Sequence, residues 1–145
     1  LSGKRISEHN EKEREKTSPY HFAYFVLTDE RPHLYANIDK RVDLMIEQGL
    51  VDEVQKLKNM GFHRDMVSMQ GLGYKEILDY LDGKTTLEEA IYIIKRETRH
   101  FAKRQLTWFR RERDVIWLDK QVYDYQDAKI LDSMINILKE KTIIN

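Results

Sequence analysis

The chain contains no cysteine, carries no net charge and has no apolar run long enough to cross a membrane. The first absence excludes disulfides and thiolate-bound zinc, and it fits a reducing cytosol. The second leaves bulk charge pointing to neither nucleic acid nor a lipid surface. Lysine plus arginine equals aspartate plus glutamate at 25 each, so only local clustering carries information. The third rules out a spanning helix, which needs roughly 20 apolar residues, and the opening "LSGKRISEHN" has no apolar signal-peptide region. Leu1 stands where an initiator methionine would, so we expect the chain to begin inside a longer protein. With 145 residues, 41% of them hydrophobic, a single domain burying about two thirds of its unfolded surface is the starting expectation.

What is present reads as mainly α with one or two β-strands. Residues 1–20, including "SEHNEKEREKTSP", form a polar connecting segment ended by Pro19. Phe22 to Leu27 is an apolar, aromatic and β-branched run, as expected for a buried strand of a largely parallel sheet. Its backbone groups need partner strands. The one other candidate is "VIWLD", Val115 to Asp119, so most of the sheet is expected outside this chain. After the strand the pattern turns helical. Asp29 is placed to cap a helix with Pro32 in its first turn, a stripe of Leu34, Ile38, Val42, Met45 and Ile46, and Gly49 as its stop. "LVDEVQKLKNM" gives a second helix ended by Gly61, and Tyr74 to Leu81 a third that stops before Gly83. Thr86 and Glu89 form a capping box for a fourth, running to about Arg111. Residues 21–119 thus make the main body, and residues 120–145, with "DAKILDSMINILKEKTII", a C-terminal amphipathic helix.

Charge is concentrated in the fourth helix. "KRETRHFAKRQLTWFRRER" sets eight Lys or Arg against two Glu between Lys95 and Arg113. Leu87, Ile91, Ile94, Thr98, Phe101, Gln105 and Trp108 recur at steps of four and three and are expected on the packed face. Arg96, His100, Lys103, Thr107 and Arg110 recur likewise on another face. Such a one-sided basic stripe beside aromatics fits binding to a phosphate backbone, against the plainer reading of a solvated face with cations near a helix C-terminus. "DGKTT" lacks the glycine that a phosphate loop requires and reads as a helix stop followed by a cap. The five His lack metal spacing, and Asp39, Asp43, Asp52 and Glu53 read as solvated helix faces. "QGLGYKE", Gln70 to Glu76, is either an interhelical turn or a place where backbone amides approach a ligand.

Taken together these segments resemble the C-terminal part of the tRNA dimethylallyltransferase (tRNA isopentenyltransferase) family, in which "GYKE" is followed at this distance by "TR", "AKRQ" and "TWFR". Upstream, "SGKRISEHN", "LTDER" and "IDKRVDLMIEQGLVDEV" are similar in the same order, and the resemblance runs from Leu1 to about Asp119. It implies an α/β transferase with a phosphate-binding loop of the nucleotide-binding type. Its reaction moves a dimethylallyl group from dimethylallyl diphosphate to N6 of the adenosine 3′-adjacent to the tRNA anticodon, a base flipped out of its stack for the chemistry. The loop, its Mg²⁺ and an Asp that activates the amine belong to an N-terminal half that this chain lacks, so the chain alone is expected to be inactive.

By the same resemblance Arg41 contacts the diphosphate. Gln70, Gly71, Leu72, Gly73, Tyr74 and Lys75 contact the anticodon stem-loop, as do Arg96 and Arg99. In the last segment Lys103, Arg104, Gln105, Leu106, Thr107, Trp108, Phe109 and Arg110 do so too, with Trp108 placed by periodicity in the core. Asn37 stands where relatives carry a second Arg, which removes one expected cation. The family implies a cytoplasmic enzyme, monomeric at full length, and the missing cysteines favour its bacterial branch over eukaryotic members with a zinc finger. The rival reading is an autonomous helical nucleic-acid-binding module without catalysis. It is disfavoured because "TTLEEAIYII" puts acidic and apolar residues where a recognition helix would read bases.

Overall fold

The computed structural model describes residues 18–144, so "SGKR" and most of the polar connecting segment lie outside the described residues. Strand β1 (Tyr24–Thr28) is followed by helices α1 (Arg31–Glu47) and α2 (Leu50–Asn59), a 3₁₀ turn (Val67–Gln70), α3 (Tyr74–Leu81) and α4 (Leu87–Phe109). Strand β2 (Val115–Asp119), a second 3₁₀ turn (Lys120–Tyr123) and α5 (Asp127–Glu140) complete the chain order. The architecture is mostly helical with one small parallel strand pair, as the sequence pattern requires.

Local chemistry sets the helix limits. Gly49 takes φ +98°, a left-handed conformation that lets α1 end and α2 begin with only Gln48 and Gly49 between them. At the start of α4, the Glu89 N–H donates to Thr86 Oγ1 at 3.2 Å and the Thr86 N–H donates to Glu89 Oε2 at 3.0 Å, forming the expected capping box. In "DGKTT", Lys84 pairs with Asp79 at 3.3 Å and Asp82 at 3.1 Å, so this segment is the stop and cap it was read as.

Asp29 does not cap α1. Glu30 occupies the cap position, and Asp29, one residue too early, accepts from the Glu30 N–H at 2.8 Å, bonds His33 Nδ1 at 2.5 Å and accepts from the Tyr125 hydroxyl at 3.0 Å. Burial alone would raise the Asp29 pKa, but the bonds from His33, Tyr125 and Glu30 outweigh it and hold the carboxyl below its ordinary value. Tyr125 thereby ties the C-terminal segment to the junction of β1 and α1.

The core is a helical one. Val42, Leu50, Val54, Met69, Ile77, Leu78, Ala90 and Ile94 pack together where α1, α3 and α4 meet and α2 closes over α3. Burial of aliphatic side chains of this size contributes roughly 1.5–3 kcal/mol each before conformational entropy is set against it. The strand begins two residues later than read and is only half sheltered: Val26 is buried while Leu27 is 54% exposed. Its partner inside the chain is the candidate that the sequence offered, since β1 pairs in parallel with β2 from Tyr24↔Val115 to Thr28↔Asp119. Each strand keeps one edge without a partner among the described residues.

The packed stripe of α4 also needs correction. Ala90 and Ile94 are buried, but Phe101 is 49% exposed, Trp108 is 52% exposed and Gln105 is exposed, while Ala102, Leu106 and Phe109 are the half-buried residues of the second half. The reason is geometric. A seven-residue repeat drifts about 20° per heptad around a straight α-helix. Over the three heptads from Leu87 to Trp108 the apolar repeat therefore rotates away from the core. Trp108 is a surface residue, braced at its edge by Phe109, whose own ring stands edge-on to Tyr24 of β1.

Candidate nucleic-acid interface

The cations of α4 divide into two groups. Lys95 pairs with Asp43 at 2.6 Å, and Arg99 Nη1 donates to both oxygens of Asp39 at 2.6 and 2.8 Å. Asp39 and Asp43 lie one turn apart on α1, and their partners lie one turn apart on α4 in reverse order, so the two pairs lace antiparallel helices together. These two carboxylates were read as solvated faces; they are the struts between α1 and α4. Arg99, which the resemblance puts among the tRNA contacts, has its guanidinium engaged here. Arg96 turns to Glu97 at 2.8 Å, and that hydrogen bond, outweighing burial, lowers the Glu97 pKa.

The second group has no such partners. Lys103, Arg104, Arg110 and Arg111 are exposed and make no ion pair among the described residues. An open groove of about 600 Å³ is lined by His100, Lys103, Arg104, Thr107, Trp108 and Arg111. Like charges so close repel without a counterion, and their binding to a polyanion is favoured by release of the counterions condensed on it. The segment "KRQLTWFR" thus splits by direction. Lys103, Arg104, Thr107, Trp108 and Arg110 face outward. Gln105, Leu106 and Phe109 line a second cavity of about 270 Å³ with Leu27, Thr28, Asp29, Asn37 and Lys120. That cavity lies at the carboxyl end of β1 and just past β2, the end of a parallel sheet where ligands bind.

Arg41 is exposed on α1, one turn after Asn37, and makes no ion pair among the described residues, so the surface pairing that would make it merely structural does not form. The "QGLGYKE" turn is less open than the sequence allowed. Gly73 is buried with φ +103°, its N–H donates to Glu76 Oε2 at 2.8 Å, and the Tyr74 and Lys75 N–H groups donate to the Gly71 carbonyl at 3.1 and 3.4 Å. Glu76, the third residue of α3, has taken the place of an external anion. The Tyr74 hydroxyl donates to Glu53, and this bond together with burial raises its pKa. What remains available at this turn is the Gln70 and Leu72 side chains, both exposed, with Gly71 between them, and the Lys75 ammonium, 3.4 Å from Glu76.

One interface residue escaped the sequence reading. Arg31, in the first turn of α1, lines a small cleft with Lys103 and Arg110 of α4. No periodicity links it to them, and its one signal is its place in the quoted "LTDER".

The chain is a mostly helical body with one parallel strand pair, a cavity at the strand ends and a cationic face that has no ion-pair partner among the described residues. The family model described as IPP transferase matches residues 1–112. The chain is 60% identical over 144 residues to the tRNA dimethylallyltransferase of Lachnoclostridium phytofermentans, which spans 99% of this chain and 46% of that protein. It is 51% identical over 127 residues to the tRNA dimethylallyltransferase of Clostridioides difficile, covering 88% of this chain and 40% of that one. Among solved structures, the full-length tRNA isopentenylpyrophosphate transferase of Bacillus halodurans superposes with a TM-score of 0.76 at 46% identity, over 93% of this chain and 45% of that one. The tRNA delta(2)-isopentenylpyrophosphate transferase of Staphylococcus epidermidis gives a TM-score of 0.79 at 34% identity, over 95% and 44%. The chain belongs to the IPP transferase family, and it spans less than half the length of the relatives it matches.

Proposed function

We propose that this chain is the C-terminal part of a tRNA dimethylallyltransferase, a cytoplasmic enzyme that is monomeric at full length. It transfers the dimethylallyl group of dimethylallyl diphosphate to N6 of the adenosine 3′-adjacent to the anticodon. The observation that carries the reading is the outward cationic face of α4, without an ion-pair partner among the described residues, in a chain of the IPP transferase family. Lys103, Arg104 and Arg110 hold the phosphates of the anticodon stem, and Gln70, Leu72 and Lys75 meet the same RNA from the turn before α3. The cavity at the strand ends receives the reacting groups, and Arg41 stabilises charge that develops on the departing diphosphate. Among the described residues no group of three or more His, Asp or Glu stands together as a metal site. The phosphate loop, the metal and the carboxylate that activates the amine come from the remaining length of the protein.

The test is a prenyl-transfer assay with labelled dimethylallyl diphosphate and an anticodon stem-loop. The 145-residue chain alone transfers nothing, because donor and acceptor are not both positioned. The chain joined to a segment that carries a phosphate loop transfers. Tight binding of one duplex DNA sequence by the chain alone would favour the autonomous module instead.

The outward face makes its own prediction. Lys103→Ala and Arg110→Ala each weaken stem-loop binding and flatten the plot of log affinity against log salt by about 0.7 to 0.9. Dimethylallyl diphosphate binding hardly changes in either variant. Unaltered slopes in both would return the stripe to an ordinary solvated surface.

A further inference from the structure

Three cations from two helices converge on a single cleft. Arg31 and Tyr35 of α1 and Lys103, Thr107 and Arg110 of α4 line a space of about 60 Å³ whose floor is Leu34 and Leu106. Among the described residues no carboxylate lines it. The contrast with the other cation-rich cleft is informative. There Arg64, Lys75, Lys84 and Arg96 share a larger space with Glu76, Asp79 and Glu97, and each cation has a carboxylate within ion-pair distance. In the small cleft Arg31, Lys103 and Arg110 have no acidic partner among the described residues, and Asp39 and Asp43 nearby on α1 are taken by Arg99 and Lys95. The Thr107 hydroxyl donates its single proton to the Lys103 carbonyl at 2.9 Å, so it has none left to donate to an anion. The donors toward a ligand are therefore the three cationic groups and the Tyr35 hydroxyl.

A solvated helix face accounts for cations on α4 alone. It does not account for a cation from the first turn of α1 completing the same cleft. The geometry points to a built phosphate site: Arg31, Lys103 and Arg110 clamp one phosphodiester of an RNA backbone, with Tyr35 as a neutral donor. Forked guanidiniums suit the oxyanions of a phosphate. The site rests on the tRNA reading above and deepens it, since it assigns Arg31 and Tyr35 to the RNA grip and ties α1 to the bound strand. The same chemistry could serve the diphosphate end of the prenyl donor, but continuity with the outward cations of α4 favours the RNA.

The experiment measures binding of a stem-loop RNA to the 145-residue chain over a range of salt, with inorganic diphosphate titrated in parallel. Arg31→Ala weakens RNA binding about tenfold and lowers the salt slope by about 0.7 to 0.9. Arg31→Lys restores the slope but only part of the affinity, because the charge returns without the fork. The double variant Arg31→Ala/Arg110→Ala loses less than the product of the two single losses, since both hold one phosphate. Thermal melting confirms that the exposed Arg31 can be removed with the fold intact. An unaltered slope in Arg31→Ala while Lys103→Ala keeps its effect overturns the clamp and leaves the tRNA reading standing. Unaltered slopes in all variants overturn both. Diphosphate binding that depends on Arg31 while RNA binding does not overturns the clamp in favour of the prenyl donor.

Discussion

Replacing Arg41 with alanine in the full-length protein should lower kcat/KM for dimethylallyl diphosphate by roughly 10- to 150-fold. That range corresponds to the roughly 1.5–3 kcal/mol of a hydrogen bond to a charged group. The case rests on three facts about the side chain. It projects from α1 one turn beyond Asn37, which lines the cavity at the strand ends; it is exposed; and no acidic partner claims it among the described residues. Its removal therefore leaves no buried charge behind and should leave the melting temperature nearly unchanged. How the loss divides matters. A fall in kcat with KM constant assigns Arg41 to charge that appears only as the diphosphate departs, whereas a rise in KM alone assigns it to ground-state binding. Unchanged kinetics in a folded variant remove Arg41 from the site.

Truncating Ile77 to alanine should destabilise the chain by about 3 kcal/mol, within the roughly 2–5 kcal/mol seen for large-to-small core changes. Ile77 has no exposed surface and belongs to the cluster with Val54, Met69 and Ile94 at the junction of α3 with its neighbours. The expected fall in melting temperature is on the order of 10 °C. Ile77→Val should cost only about 1 kcal/mol. Phe101→Ala is the control. Its ring was assigned to the packed stripe by periodicity, yet it is 49% exposed and the Arg104 guanidinium lies over it, 5.8 Å from its centre. It should cost under about 1 kcal/mol, as surface changes do. If Phe101→Ala proves as damaging as Ile77→Ala, the rotation of α4 described above is wrong.

Those two residues show what the sequence could and could not disclose. Helix limits were legible because the signals are local: a glycine in the left-handed region at position 49, or Thr86 and Glu89 three residues apart, acts within one turn. Residues that face the core were legible where a helix is shorter, and α1 kept its apolar stripe, with Val42 buried and Leu34, Ile38, Met45 and Ile46 half-buried. Over the 23 residues of α4 a small angular error accumulates, and Phe101 and Trp108 turned out to face outward. The register of β1 against its one candidate partner was hidden for a different reason. Parallel pairing leaves no turn signal, and nothing in "YFVLT" encodes a register with "VIWLD". Of the candidate site, the cationic stripe was visible as charge, but charge does not say which cations are spoken for. Lys95 and Arg99 differ from Lys103 and Arg110 only in what α1 presents to them. Arg31 was invisible because its cleft exists only when α1 and α4 meet.

The strand pair bears on the order in which the chain assembles. Its paired residues, such as Val26 and Trp117, are about ninety positions apart, whereas α3 and α4 are joined by a short connection. Closing so long a loop carries an entropy penalty that only later contacts repay. The helices should therefore condense first and the strands last, once the struts between α1 and α4 have brought the start and end of the chain together. Run in reverse, the ladder between β1 and β2 is the first part to open. Its amides should exchange with solvent deuterium well before those of Ile77 and Ile94, so the half-sheltered edge of this chain is also its least persistent structure.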